Sequence, residues 1–150
     1  MKIYVDTNII FGFFRNLLLE KRKGKKFTET SVLKFIKEGK FELYTSVLVK
    51  AEIARRLRTE WGSTKEGVEE FWTSLETYIN VDVIQTATIG PKIAVITLET
   101  PFKNKVSNIM HLLIAEQYDL WFLSVDKEIV QKGKKFYEKV ISYHELRKIS

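Results

Sequence analysis

Lys2-Ile3-Tyr4-Val5-Asp6-Thr7-Asn8-Ile9-Ile10 is the stretch from which the fold can be read. Lys2 to Val5 form a short, bounded apolar run of β-formers, the pattern of a buried strand. Asp6 ends the run. Ile9, Ile10, Phe13, Phe14 and Leu17 then recur at helical spacing, and Thr7 or Asn8 can cap that helix, predicted over about residues 8–20. In an open α/β sheet, ligands sit beyond the carboxyl ends of the strands, so Asp6 stands where such folds keep their chemistry. Asp is also a favoured N-cap, and from this stretch alone the two roles are equally open.

The same arrangement returns near the other end of the chain. Leu120 to Val125 is a second buried strand, and Asp126 follows it at the start of a helix carrying Lys127, Glu128 and Ile129. Between the two lie further strands at Phe41 to Tyr44 and Asn80 to Ile84, separated by helical patterns. One helix starts after Thr28-Glu29-Thr30-Ser31 and stops at Gly39, and another is capped by Thr45 or Ser46. A third follows Gly62, with Phe71 and Trp72 read as core, and a fourth begins at Pro91. Pro101 to Lys105 is read as a basic loop before a helix from about Ser107. Phe136 to Ile141 is read as an edge strand and Tyr143 to Ile149 as a last short helix. Strands alternating with helices predict a single domain over residues 1–150, α/β in class: a three-layer α/β/α arrangement on a mainly parallel sheet.

Composition narrows the classes of function. No apolar run approaches the ~20 residues that span a bilayer, so no membrane role is expected. The start carries one lysine and then Asp6 inside what would have to be an apolar region, so it does not read as a signal peptide. With no cysteine there is no disulfide framework, thiolate nucleophile or thiolate metal site, and a cytoplasmic location is the default expectation. The net charge of +6 is unevenly spread. Lys21-Arg22-Lys23-Gly24-Lys25-Lys26 holds five positive charges around one glycine, and Lys132, Lys134 and Lys135 form a smaller group. Such runs favour phosphate backbones through counterion release, or simply form solvated loops.

Four oxygen donors stand near strand ends or first helical turns: Asp6, Glu52, Asn108 and Asp126. On a helix with Val47, Leu48, Ala51, Ala54, Leu57 and Trp61 inward, Glu52 falls at the border of the packed face. There it reaches the sheet edge or pairs with Arg55 or Arg56. Asn108 and His111 share a helix face. In so apolar a helix His111 is read first as a hydrogen-bonded packing residue and second as a metal ligand or general base. Clustered carboxylates stay ionised only around a cation, and hard cations such as Mg²⁺ or Mn²⁺ take oxygen ligands. Such ions turn water into a nucleophile and polarise a phosphodiester.

At these residues the chain resembles the PIN-domain family, and within it the VapC-type toxins. Val5-Asp6-Thr7-Asn8-Ile9 is similar to the family's first acidic motif, Ser46 to Ala54 with Glu52 to the second, and Leu123-Ser124-Val125-Asp126 to the last. The third motif departs: Val106-Ser107-Asn108-Ile109-Met110-His111-Leu112 carries Asn108 where the family places aspartate. The resemblance implies a Mg²⁺- or Mn²⁺-dependent endoribonuclease that hydrolyses RNA by metal-activated water. Asp6, Glu52, Asn108 and Asp126 would be its catalytic and metal-holding residues, with Asp6 fixed by Ser124 or Thr7. It also implies a homodimer and an antitoxin protein that blocks the site. Asparagine offers a carbonyl oxygen but no charge, so metal affinity is expected to fall. The alternative is a catalytically weakened or inactive PIN domain serving as an RNA- or protein-binding module. A receiver-like signalling domain fits poorly, because Tyr44-Thr45 offers no acceptor aspartate after the second strand.

Overall fold

A computed structural model of the chain describes residues 1–99, 103 and 106–150. Apart from Lys103, the basic loop expected from Pro101 to Lys105 lies outside the described residues. Five strands form one sheet: β1 (Lys2–Val5), β2 (Glu42–Ser46), β3 (Val81–Ile84), β4 (Trp121–Ser124) and β5 (Val140–Ser142). Their order is β3-β2-β1-β4-β5 and every pairing is parallel. Parallel neighbours require crossovers, and the helices supply them. The four helices between β1 and β3 are α1 (Thr7–Lys23), α2 (Ser31–Glu38), α3 (Val47–Thr59) and α4 (Lys65–Tyr78). They pack as one group in which α1 touches the other three. Between β3 and β5, α5 (Gly90–Glu99), α6 (Val106–Gln117) and α7 (Lys127–Gly133) form the second group, and α8 (Tyr143–Ile149) lies against β5. The architecture is the expected three-layer α/β/α. No helix among the described residues is long and apolar enough to cross a membrane.

The chain winds outward through β2 and β3, then returns to place β4 on the other side of β1. That reversal opens a crevice at the carboxyl ends of β1 and β4, the place where doubly wound sheets take ligands. Val5 is in register with Leu123, so Asp6 and Ser124 come side by side just past the strand ends. The core spans both faces of the sheet. Ile3, Tyr4, Val5, Phe122 and Leu123 are buried at its centre, and the Phe14 ring stacks on Trp72 with centroids 5.9 Å apart. Phe71 and Trp72 are therefore core residues, as their spacing predicts.

Three local expectations change. The edge strand expected from Phe136 to Ile141 is confined to Val140–Ser142. The first helix runs three residues further than expected, to Lys23, and buries Leu18 where the spacing pointed to Leu17. Lys21, Arg22 and Lys23 form its last turn, where positive charge complements the helix dipole. Gly24 then caps it at φ 65°, a left-handed conformation that glycine adopts without strain. Half of the basic run is thus helix. The face of α3 is also rotated: Val49, Ile53 and Leu57 are buried, whereas Val47 is exposed. Ser46 fixes this phase by accepting a hydrogen bond from Val49 N–H, which ties the first turn to the end of β2.

Candidate active site

Each candidate side chain is delivered by a strand end or a helix start. Asp6 follows β1 as the residue before α1, and Asp126 follows β4 and caps α7. Glu52 lies in the second turn of α3, and Asn108 in the first turn of α6. Glu52, Asn108 and Asp126 line one open cleft of about 440 Å³, together with Thr7, Arg55, Arg56 and Lys103. Three of the four predicted oxygen donors therefore share a wall.

Asp6 does not reach that wall. It is 2% exposed, its Oδ1 accepts the Thr7 N–H at 2.7 Å, and its Oδ2 accepts the Ser124 hydroxyl at 2.8 Å. Of the two partners expected as alternatives for Asp6, both are engaged, Ser124 through its hydroxyl and Thr7 through its backbone N–H. Burial pushes the Asp6 carboxyl above its ordinary pKa. The His111 ring and the two hydrogen bonds pull the other way, and the nearby Glu52 adds to the rise. Among the described residues no lysine or arginine is paired with Asp6, so its charge is held by hydrogen bonds within a low-dielectric site.

His111 joins the elements behind the cleft. It is fully buried, and its Nδ1 lies 2.7 Å from the Tyr4 hydroxyl. Its Nε2 meets the Thr7 hydroxyl at 3.1 Å and a carboxylate oxygen of Glu52. An ionised carboxylate only accepts, so Nε2 carries a proton directed at Glu52. Nδ1 shares its hydrogen bond with the Tyr4 hydroxyl. Burial pushes the Tyr4 phenol far above its ordinary range, which keeps it a donor. Tyr4 Oη in turn lies 2.7 Å from Ser46 Oγ, the residue that caps α3. One chain of hydrogen bonds thus links β1, α3 and α6 and fixes Glu52. His111 is the packing histidine of the first expectation. Both of its ring nitrogens are engaged, which leaves no lone pair for a metal.

Glu52 therefore does not pair with Arg55 or Arg56. Its carboxylate, 24% exposed, turns to a residue 59 positions away. Arg56 instead lies over the Phe11 ring, its guanidinium carbon 3.6 Å from the centroid, with Glu60 at 3.5 Å. Local spacing could not show this. A usable signal was nevertheless present, since a tyrosine inside a buried strand and a histidine inside an apolar helix each need a polar partner.

Neither basic run lines the cleft. Lys23 is 16 residues along α1 from Thr7, about 24 Å at 1.5 Å per residue, so the first run sits at the far end of that helix from the cleft. Lys21 and Arg22 there cover the rings of Phe71 and Trp61. In the second group Lys132 pairs with Glu128 and Lys134 with Glu145. The cleft's own positive charge comes from Arg55, Arg56 and Lys103.

Asp126 accepts the N–H groups of Glu128 at 2.9 Å and Ile129 at 3.3 Å, so it is a full N-cap and also lines the cleft. Among the described residues, no three acidic or histidine side chains converge closely enough to hold a metal ion. The donor chemistry itself suits a hard divalent cation: the carboxylates of Glu52, Glu60 and Asp126 and the carboxamides of Asn8 and Asn108 line the cleft, and the Asp6 carboxylate, which pairs with no lysine or arginine among the described residues, is buried next to it. Compared with known proteins, the chain matches no family model and no curated protein.

Proposed function

We propose that this chain is a divalent-metal-dependent endoribonuclease of the PIN type, with its site at the crevice between β1 and β4. The observation that carries this reading is the shared wall: Glu52, Asn108 and Asp126 come from three separate elements and meet in one cleft beside Arg55, Arg56 and Lys103. Glu52, Asp126 and Asn108 would hold Mg²⁺ or Mn²⁺, with Asp6 adding negative charge from behind. A bound ion of this kind lowers the pKa of water and offsets charge on a phosphodiester. The protein's own part is positional. His111 holds Glu52 by its Nε2–H, Ser124 holds Asp6, and the arginines draw the phosphate backbone into the cleft. The same reading carries a cytoplasmic location, a homodimer and an antitoxin protein that covers the cleft.

The second reading is a PIN-like module that binds RNA without cutting it. One observation favours it: Asn108 lacks the charge of aspartate. One experiment separates the two. A labelled single-stranded RNA is incubated with Mn²⁺, Mg²⁺ or EDTA and with the protein, Asn108→Asp or Asp6→Asn, while Mn²⁺ binding is followed by calorimetry. The ribonuclease reading requires cleavage that EDTA and Asp6→Asn abolish, and tighter Mn²⁺ binding by Asn108→Asp. RNA binding with no cleavage by any of the three proteins would leave the binding module.

A further inference from the structure

A second hollow, of about 340 Å³, adjoins the acidic cleft and shares Asn8 and Arg56 with it. The two are divided by alternation along the chain. Thr7 and Asp126 line the acidic cleft, whereas Ile9, two residues on from Thr7, and Val125, the residue before Asp126, line the hollow. Its chemistry is the opposite of its neighbour's. Phe11, Val32 and the half-exposed Val125 give it an apolar floor, Arg15 and Arg56 give it two cations, and no acid lines it.

Arg56 is placed in advance. Stacking on Phe11 holds the guanidinium plane, while its polar contacts, to Glu60 and Asn8, both lie at 3.5 Å, the outer limit of a hydrogen bond. A guanidinium offers five N–H donors in a fork matched to phosphate, and here most of that capacity is unspent. Arg15 is exposed and forms no ion pair among the described residues. A cation pair above an apolar floor, beside a site that would cut phosphodiesters, has the composition of a nucleotide-binding pocket. Its volume is near the lower end for small-molecule sites, about 300 Å³, which matches one nucleotide better than several.

We propose that this hollow is a subsite for the nucleotide next to the scissile phosphate of a single-stranded RNA. Arg56 and Arg15 hold backbone phosphate, and the apolar floor takes one face of the base. The inference rests on the ribonuclease reading for the word scissile, but the binding it describes needs no metal. Arg56, at the mouth of both cavities, sets where the strand leaves the acidic cleft. The floor carries few hydrogen-bonding groups, so the subsite accepts a base by shape and apolar contact more than by its edge.

The test is fluorescence anisotropy with a labelled eight-nucleotide oligouridylate in EDTA at several salt concentrations, alongside metal-dependent cleavage of the same oligonucleotide. The proteins are wild type, Arg15→Ala, Arg56→Ala, Arg56→Lys, Val32→Trp and the charge-matched control Lys26→Ala at the far end of α1. Arg15→Ala and Arg56→Ala are each expected to weaken binding about five- to tenfold and to reduce the slope of log K against log salt by about 0.7, the share of one phosphate contact on a single strand. Arg56→Lys restores only part of the loss, and Val32→Trp weakens binding with no change of charge. Lys26→Ala stays within about twofold of wild type. Arg15 is exposed, so its variant keeps the proposal open to test even where an Arg56 or Val32 variant folds poorly. If the arginine variants bind within twofold of wild type, or no worse than Lys26→Ala, the subsite is overturned. No binding by wild type in EDTA overturns it as well. Losses as expected without cleavage under any metal overturn the ribonuclease reading and keep the subsite. Cleavage with unaffected arginine variants does the reverse.

Discussion

Asp6 and Asp126 occupy the same place in the local pattern, a strand, an aspartate and a helix, yet they do different things. Asp126 spends Oδ1 on two N–H groups of its own helix and stays partly exposed on the cleft wall. Asp6 accepts one N–H from its helix, is nearly inaccessible, and turns its other oxygen to Ser124. The two are tied together, because the Ser124 hydroxyl that donates to Asp6 also accepts the Asp126 N–H at 3.1 Å. A cap needs only the next three residues. A buried carboxylate needs a whole sheet around it. The comparison shows that one sequence signal can mark either a local stop or a site under tertiary strain.

The comparison breaks hardest at His111, which lies among the groups that hold Asp6 and Glu52. His111→Ala removes a fully buried ring and the partner of Tyr4, Thr7 and Glu52, so a loss of about 2–4 kcal/mol is expected. That corresponds to a fall of roughly 10 °C in Tm, measurable by calorimetry. A shift under about 2 °C would mean that the chain of hydrogen bonds is not a structural unit.

Next in size is Ser124→Ala, which unties the two aspartates from each other. It leaves the buried Asp6 Oδ2 and the Asp126 N–H without their partner, and urea unfolding should report a loss of about 1–3 kcal/mol. A neutral result would deny that Ser124 couples the two sites.

Asp6→Asn should move stability the other way. The folded chain raises the Asp6 pKa above its ordinary value near 3.8, so it holds the proton more tightly than the unfolded chain does. Stability is therefore greatest below pH 3.8 and declines as pH rises through the raised value. Asparagine carries no such charge. Asp6→Asn is expected to raise Tm by a few degrees at pH 7, at about 3 °C per kcal/mol, and to lose that gain below about pH 4. A lower Tm at pH 7 would place Asp6 with Asp126 as a structural cap. The smallest effects belong to Asp126 itself. Asp126→Asn keeps the cap and should be neutral within about 0.5 kcal/mol, while Asp126→Ala should lose about 1 kcal/mol. A larger loss in the asparagine variant would mean that the charge of Asp126 already matters to the fold.

Much of this architecture is legible from the residues in order. The apolar runs at β1 and β4, the caps at Thr30, Ser46, Thr64 and Asp126, and the stop at Gly39 all act within about four residues, so periodicity and cap chemistry disclose them. The parallel sheet follows from the alternation of strand and helix. Legibility fails where the controlling distance is not along the chain. The basic run that looked like a phosphate lure is carried by α1 to the end away from the cleft, while Arg56, which looked like a partner for Glu52, stacks on Phe11.

The order of residues by itself determined the elements, the layering and the four oxygen donors at strand ends and helix starts, because those depend on local geometry and on which faces are apolar. Only the tertiary structure decided which donors share a wall, that Asp6 is buried behind it, and that Glu52 answers to His111 from 59 residues away. Hydrogen bonds and desolvation act through space and vary with burial, so the same carboxylate is a surface charge or a strained one according to what folds over it.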